Sequence, residues 1–310
     1  WIMLTTLTAY GKAQIDRAAL EQALSAHPVD VTYVFPTHTD LTNSKPSSDP
    51  QTTSNAVGAA TNLPINIVSD TINRLTLNSK AYQQPVTVYQ SRITDRAEVF
   101  LSQFYQRFDF NHNQVAQNII FYQSIFKETF VFSFNRLSGR FDISSTHFRD
   151  EANFYNNRFQ QASAIHLSIF DQPARFNHST YSGKSSFEYS VFNDDVSFNS
   201  SRFTDTLSFK GSTFNGHAHF QDTFFPRKVD FSNVVINGPN IQLDHAKAYD
   251  NTQDILINLL GTDLHKIDFE YTLFKLDFPD IATYQDIANI YTQLLEKYKR
   301  EGMEKSYQKL

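Results

Sequence analysis

The chain has 310 residues with 29 Phe and 15 Tyr, and charged residues make up only 19% of it, so it can fill a large core and is not an intrinsically disordered chain. Its 27 Lys and Arg against 32 Asp and Glu give a net charge of −5, which argues against a strongly basic nucleic-acid binder and against a strongly acidic protein. There is no cysteine, which excludes disulfides, cysteine-ligated zinc and thiolate nucleophiles. No apolar run reaches the roughly 18 residues that are needed to cross a bilayer.

Residues 1–76 are predicted to form an N-terminal cap. The apolar start at residues 1–4 is typical of the trailing edge of a signal or membrane segment. Asp16 can cap a short helix that runs to Ser25. The alternation of bulky residues then predicts a strand that contains Val29, Val31, Tyr33 and Phe35. Residues 36–62 are mostly Ser, Thr, Asn, Pro and Ala, which predicts a long polar loop.

From residue 77 the sequence repeats with an eleven-residue period. Every eleventh residue from Tyr82 to Ile236 is bulky and apolar or aromatic, and so is every eleventh residue from Leu77 to Phe231. The residue two places before an anchor is usually small, as at Asn113. A helical seam needs apolar spacings of three and four, but the spacings here are five, six and two. The pattern therefore predicts short strands that are joined by tight turns.

Short strands of this kind form coils that stack at about 4.8 Å per layer. The stretches 190–194 and 201–205 resemble the unit of the pentapeptide-repeat family, which is a small residue, any residue, Phe or Leu, and two polar residues. The resemblance covers residues 77–236 and implies an all-β solenoid, a right-handed four-sided β-helix. Because the steps alternate between five and six, the chain resembles an eleven-residue variant of the family, in which two units would close one coil. One side of each coil is expected to carry a longer or bulged turn.

The predicted solenoid spans residues 77–243 and has about seven or more coils. A coil of two repeat units places the anchors in four columns, two of which are entirely aromatic in their middle part. These two columns are the predicted structural ladder. One contains Phe104, Phe126, Phe148, Phe170, Phe192 and Phe214, and the other contains Phe110, Phe132, Phe154, Phe176, Phe198 and Phe220.

Residues 244–310 are predicted to form a C-terminal cap with helices. The spacing of Ile255, Leu256, Leu259 and Leu260 before Gly261 predicts a short helix over 251–260. The anchor spacing resumes at Ile267, Phe269 and Phe274. Thr283 and Asp286 have capping-box spacing at the start of a longer helix, and Gly302 separates it from a second arm with Met303, Tyr307 and Leu310.

The longer helix carries the predicted contact surface for a protein partner or for a membrane segment of the same chain. Its apolar stripe includes Tyr291, Leu294, Leu295 and Tyr298. The alternative is that the whole stripe packs on the last coil as a cap, because an uncovered end of a solenoid exposes unpaired backbone groups.

Candidate chemical sites are few. His217 and His219 flank Ala218 and should both point outward, but no acidic residue of the same strand completes a ligand set, so a solvated pair is predicted. Two pairs of adjacent carboxylates, at residues 150–151 and 194–195, are predicted to be polar corner residues. No catalytic residue, metal site or cofactor site is predicted, and no cofactor is expected.

The expected function is that of a non-enzymatic protein-interaction or structural rod, membrane-tethered or part of a larger assembly, and outside the cytoplasm or membrane-associated. No nucleic acid and no small-molecule substrate are expected as partners. An alternative is a DNA mimic that protects gyrase, but such a rod must be acidic, whereas residues 77–236 hold 15 Lys or Arg and 14 Asp or Glu. A more remote alternative is a carbohydrate-acting β-helix enzyme. The catalytic carboxylates of such an enzyme should cluster at equivalent positions of adjacent coils. Here, however, one coil after Asp150 comes Gln172, and one coil after Asp194 comes Gly216.

Overall fold

The computed structural model describes residues 60–243, 245–250 and 254–310. The helix predicted over 16–25 and the strand predicted over 29–35 lie outside the described residues, as does most of the loop predicted over 36–62. The end of that loop is described, and there the prediction is wrong, because Ala60–Thr61 form the first strand.

The described residues form four parallel sheets, and the chain visits the four sheets in turn. The first sheet has nine strands: β1 (Ala60–Thr61), β5 (Ala81–Tyr82), β9 (Gln103–Phe104), β13 (Ile125–Phe126), β17 (His147–Phe148), β21 (Ile169–Phe170), β25 (Val191–Phe192), β29 (Thr213–Phe214) and β33 (Val235–Ile236). The second has ten: β2 (Ile65–Val68), β6 (Val86–Tyr89), β10 (Phe108–Asn111), β14 (Phe130–Ser133), β18 (Ala152–Asn153), β22 (Ala174–Arg175), β26 (Val196–Ser197), β30 (Ala218–His219), β34 (Ile241–Gln242) and β37 (Ile267–Asp268).

The third and fourth sheets complete each coil. The third has nine strands: β3 (Thr71–Ile72), β7 (Arg92–Ile93), β11 (Gln114–Val115), β15 (Arg136–Leu137), β19 (Arg158–Phe159), β23 (Thr180–Tyr181), β27 (Arg202–Phe203), β31 (Phe224–Phe225) and β35 (Lys247–Ala248). The fourth has ten: β4 (Leu75–Thr76), β8 (Ala97–Phe100), β12 (Ile119–Tyr122), β16 (Phe141–Ser144), β20 (Ser163–His166), β24 (Ser185–Ser186), β28 (Thr206–Ser208), β32 (Lys228–Asp230), β36 (Ile255–Asn258) and β38 (Phe274–Leu276).

The register of the strands follows the repeat. Phe104 lies beside Phe126, and Phe126 lies beside Phe148, so that one coil takes two eleven-residue units. The described residues complete about nine coils. The predicted four-sided β-solenoid with C-terminal helices is confirmed.

The sixth residue of the longer step lengthens two opposite sides of the coil, whereas the sequence predicts one longer side. Strands of the second and fourth sheets reach four residues, as in Phe108–Asn111 and Ile119–Tyr122. Each of these strands points two residues inward, for example Phe108 and Phe110. The number of longer sides differs because a coil contains two repeat units, and each unit brings one longer step.

A left-handed backbone conformation recurs at every eleventh residue from Ser79 to Asn233, with Gly211 at one of these positions. The residue after each of these corners is usually one of the small polar residues, and most of those are buried. Their side chains hold the coils together. Asn135 Oδ1 accepts from the backbone N of Asn113, one coil earlier, at 2.9 Å, and Asn135 Nδ2 donates to the carbonyl O of Phe110 at 2.8 Å. Buried corner backbone groups are thereby satisfied.

The predicted aromatic ladder lies inside the solenoid, where each of its twelve phenylalanines is at most 2% exposed. Ring centroids in the Phe104 column are 4.7–5.3 Å apart, and the planes are nearly parallel. The Phe110 column is stacked in the same way, except that Phe132 and Phe154 are 6.1 Å apart and tilted by 46°. This tilt occurs where the inward neighbour changes from Phe130 to Ala152, which leaves room for the ring to turn.

The solenoid extends beyond residues 77–243 in both directions, because β1–β4 precede this range and β35–β38 follow it. The short helix predicted over 251–260 is wrong. Ile255–Asn258 is β36, in which Ile255 and Ile257 point inward. Gly261, at φ 76°, occupies the left-handed corner that follows this strand, rather than a helix end. Ile267, Phe269 and Phe274 are buried, as the resumed anchor spacing predicts.

Three helical elements occur among the described residues, all near the C-terminus. A short 3₁₀ helix, η1 (Leu264–Lys266), precedes β37. The helix α1 (Tyr284–Glu301) begins at Thr283, whose Oγ1 accepts from Asp286 N at 3.2 Å, while Asp286 Oδ2 accepts from Thr283 N at 3.0 Å. The hydrogen bonds that Asp286 accepts from Thr283 lower the pKa of Asp286. Gly302, at φ 69°, ends α1, and α2 (Glu304–Lys309) follows.

Candidate interaction surfaces

One face of α1 closes the last coil. Ile290, Leu294, Lys297 and Tyr298 are buried there. The ring of Tyr298 lies 6.1 Å from that of Phe269, and its hydroxyl donates to the carbonyl O of Phe269 at 3.3 Å. Two of the four residues predicted to contact a partner, Leu294 and Tyr298, therefore belong to the cap and are not available at the surface. They are buried because the backbone of the last coil must be covered.

The neighbouring edge of α1 keeps its apolar residues at the surface. Tyr284 is 86% exposed and Leu295 is 37% exposed, and half-buried Tyr291 lies between them at helical spacing. Ile281, just before the helix, is 84% exposed. We call Ile281, Tyr284, Tyr291 and Leu295 the exposed edge of α1. Sequence reasoning missed Ile281 and Tyr284, although the spacing of Tyr284, Tyr291 and Leu295 is visible in the sequence.

The outer side of the third sheet carries a row of arginines. Arg92, Arg136, Arg158 and Arg202 take equivalent outward positions, and the backbones of Arg136 and Arg158 are paired neighbours. Arg136 and Arg158 make no ion pair with any described residue, and Arg202 lies over the ring of Phe224 at 4.5 Å. The rod is nearly neutral as a whole, but its charge is therefore not evenly distributed over its sides.

A second row runs along the corner between the second and third sheets and consists of aromatic rings. Its members are Tyr89, His112, Phe134, Tyr155 and His178. Successive ring centroids are 4.6–5.4 Å apart. Phe134 is 44% exposed, although its backbone has the left-handed φ of 58°. Sequence reasoning missed this row because corner residues do not belong to the apolar period.

A shallow open depression of about 320 Å³ lies on the fourth sheet near its C-terminal end. Its lining includes the carboxylates of Glu188, Asp230 and Asp277. Each is held by a neighbour, because Glu188 accepts from Ser208 Oγ at 2.6 Å, Asp230 accepts from Ser232 N at 2.8 Å, and Asp277 lies 3.8 Å from Lys228 Nζ. The carboxylates therefore have local structural roles here.

The adjacent carboxylates at the predicted corners also have partners among the described residues. Asp150 accepts from Thr129 Oγ1 at 2.8 Å, and Glu151 forms an ion pair with Arg175. Asp194 accepts from the backbone N of Asp195 at 2.7 Å. His217 and His219 are both exposed on the outer side of the second sheet, and Asp195 lies beside His217 on the preceding coil.

A solid aromatic shaft of four parallel sheets, with flat outer sides and a helical cap at its C-terminal end, defines a four-sided parallel β-solenoid. Within it, residues 166–213 match the family model described as pentapeptide repeats in nine copies, which confirms the predicted resemblance to pentapeptide repeats for this stretch of the solenoid. In the matched stretch, the second and fourth sheets point small or medium residues such as Ala174, Ser185 and Val196 inward, whereas earlier coils have Phe108 or Phe141 at such inward positions.

No curated protein and no solved structure matches the chain. Neither helix of the described C-terminal segment combines the length and apolar character that a membrane span requires.

Proposed function

We propose that this chain is a non-enzymatic rod that binds a protein partner through the exposed edge of α1. The observation that supports this proposal is the exposure of Ile281 and Tyr284, at 84% and 86%, beside a cap whose other face is packed. Large apolar residues scattered singly over a surface need no explanation, but a group of them on one helix edge is typical of an interaction site.

The chemistry of the edge suits a protein surface. Aromatic side chains are enriched at the centre of protein interfaces because they bury a large area and can still make a hydrogen bond. The ring centroid of Tyr291 lies 6.1 Å from that of Phe278, so Tyr291 is held in place by a contact within the chain. A helix or strand of the partner would bury Tyr284 and Leu295 in the helix-in-groove manner.

The test compares three forms of the full chain in cells of the source organism. A photo-crosslinking residue replaces Tyr284 in the first form and Tyr249, which is 45% exposed on the rod, in the second. We expect one dominant cross-linked protein from position 284 and none from position 249. The third form carries Ile281→Ser together with Tyr284→Ser and should lose co-purification of that protein.

A matched control for the double variant is Leu63→Ser, which removes a 67% exposed leucine at the opposite end of the described solenoid. It should retain the complex. All variants should keep the circular dichroism spectrum of the wild type, because the substituted side chains are exposed. Retention of the complex by the double variant, or the same cross-linked protein from positions 284 and 249, would contradict the proposal.

A further inference from the structure

The outer side of the second sheet brings two imidazoles and one carboxylate together. In β30, Ala218 points inward and is 6% exposed, so its neighbours His217 and His219 both lie on the outer side. Their ring centroids are 5.6 Å apart, and the ring planes differ by 10°. The strand backbone therefore presents both imidazoles in the same direction.

The carboxylate comes from the preceding coil. Val196 is the register partner of Ala218, which places Asp195 beside His217. Asp195 Oδ1 accepts from the backbone N of His217 at 2.8 Å and lies 3.0 Å from His217 Nδ1. Gly216 permits this close stacking, since a Cβ at that position would lie 2.4 Å from the backbone carbon of Asp194. Asp195 is thus held at its place by the backbone as well as by the ring.

We infer that Asp195, His217 and His219 form a binding site for a divalent transition-metal ion of the zinc class. One ligand atom from each residue lies within 4.8 Å of the others. Tetrahedral zinc with bonds of about 2.0–2.2 Å holds its ligand atoms roughly 3.4 Å apart, so that modest rotation of exposed side chains closes the set. None of these three residues belongs to the exposed edge of α1.

The ligand types select the metal. Two imidazoles and one carboxylate suit zinc and its neighbours in the transition series, whereas Mg²⁺ and Ca²⁺ prefer sets made of oxygen ligands. Three protein ligands leave a fourth position for water or for a group from another molecule.

The one cation in the described outward column that contains His219 is paired with a carboxylate. Arg175 lies two coils before His219 in the same outward column, with Ser197 between them, and it forms an ion pair with Glu151. On the other side, Gln242 is the register partner of His219 and is uncharged. Asp194 adds a further carboxylate beside Asp195.

The experiment is a calorimetric titration of the metal-free full chain with Zn²⁺, repeated with Mg²⁺ and Ca²⁺. We expect saturable zinc binding and no comparable binding of the other two ions. Asp195→Asn, His217→Ala and His219→Ala should each weaken zinc binding by about tenfold or more, the smallest loss expected when a residue that holds or supports a metal is removed. Co²⁺ added in place of zinc should give visible absorption bands that the three variants lose.

The matched control is His178→Ala, which removes an exposed histidine of the aromatic corner and should leave zinc binding unchanged. Melting temperatures without metal should be the same for all four variants, which separates lost binding from lost folding. Absence of saturable zinc binding by the wild-type chain would overturn the inference. So would zinc binding that Asp195→Asn, His217→Ala and His219→Ala leave intact, because the ion would then bind elsewhere in the chain.

Discussion

Lys297 Nζ lies 2.7 Å from Asp268 Oδ1 and connects α1 to the last strand of the second sheet. The Lys297 side chain is completely buried and also donates to the carbonyl oxygens of Leu264 and Ile267. All three hydrogens of the ammonium group therefore have acceptors. A charge buried in this way is tolerated only because it is fully paired.

We expect Lys297→Met to loosen the cap by about 2–4 kcal/mol, since methionine retains much of the volume but leaves a carboxylate and two carbonyls without their donor. The measurement is the rate of limited proteolysis within residues 279–310, together with the urea midpoint. Lys299→Met is the matched control, because Lys299 is exposed on the same helix, and it should change stability by less than about 0.5 kcal/mol. Equal proteolysis of the two variants would contradict a structural role for Lys297.

The ladder predicts a large difference between two adjacent residues. Phe176 is fully buried, and its ring centroid is 4.7 Å from that of Phe154 and 5.0 Å from that of Phe198. Phe176→Ala should cost about 3–5 kcal/mol because it removes both stacking contacts and leaves a cavity. Asn177→Ala, at a partly exposed neighbour, should cost less than about 0.5 kcal/mol. Equal denaturation midpoints would show that the ladder does not carry the stability of the rod.

The buried asparagines predict a polar contribution of a different kind. Asn135→Ala removes the acceptor for Asn113 N and the donor for Phe110 O, and both groups are left inside the shaft. The expected loss is about 2–3 kcal/mol, because unsatisfied buried groups cost more than the hydrogen bonds contribute. Asn135→Ser should recover part of it, since Ser201 at an equivalent corner accepts from Ser179 N at 3.1 Å and donates to Phe176 O at 2.6 Å. If Asn135→Ser and Asn135→Ala destabilise the rod equally, the loss of these two hydrogen bonds is not the cause.

Much of the solenoid can be predicted from the sequence because coil length and repeat length agree. Where two eleven-residue units close one coil, an inward anchor lies on the anchor of the next coil, and both are visible as one period. This agreement ends near the C-terminus, where Ile241 pairs with Ile267 and Val229 pairs with Ile257. Because these coils are longer than two repeat units, the eleven-residue period of the sequence is lost there. The spacing of the apolar residues in 255–260 then resembles that of an amphipathic helix.

The surface is less readable because outward residues do not follow the period of the core. The step of one coil that places Asp194 at Gly216 also places Asp195 at His217, but the importance of this pair depends on both side chains pointing outward. The arginine row is similar, since a nearly neutral composition does not reveal that Arg136 and Arg158 lie side by side. The division of the α1 stripe into a buried and an exposed part is set by the packing of the helix, which spacing alone does not determine.

The arginine row leads to a prediction about gyrase. A protein that imitates DNA must present negative charge along its length, because contacts with the phosphate backbone supply most of the affinity of a protein for DNA. Here the outer side of the third sheet carries Arg92, Arg136, Arg158 and Arg202. We expect no inhibition of gyrase supercoiling at micromolar concentrations of the rod. Inhibition of supercoiling by the wild-type rod in this concentration range would contradict the prediction.

Tyr181 predicts how stability changes in alkaline solution. Its ring is stacked between those of Phe159 and Phe203, at 4.7 and 4.6 Å, and burial raises the pKa of its hydroxyl far above the ordinary value. Ser179 is close to this hydroxyl, but Ser179 Oγ already donates to the carbonyl O of Phe154 at 3.0 Å, and the hydroxyl has no well-formed hydrogen bond among the described residues. Tyr181→Phe should therefore be neutral or stabilise the rod by up to about 1 kcal/mol at neutral pH.

Above pH 10 the sign of the pH effect follows from the raised pKa. The unfolded chain then loses the proton of the Tyr181 hydroxyl while the folded chain keeps it. The contribution of Tyr181 to the free energy of unfolding is therefore fully present below pH 10 and decreases as the pH rises above it. Burial also raises the pKa of Tyr271 to about 12, which adds a loss between pH 10 and 12. Urea midpoints at pH 8 and pH 11.5 should fall less for Tyr181→Phe than for the wild type, while Tyr284→Phe, at an 86% exposed position, should follow the wild type. The same fall for all three proteins would mean that Tyr181 is already accessible to hydroxide in the folded rod.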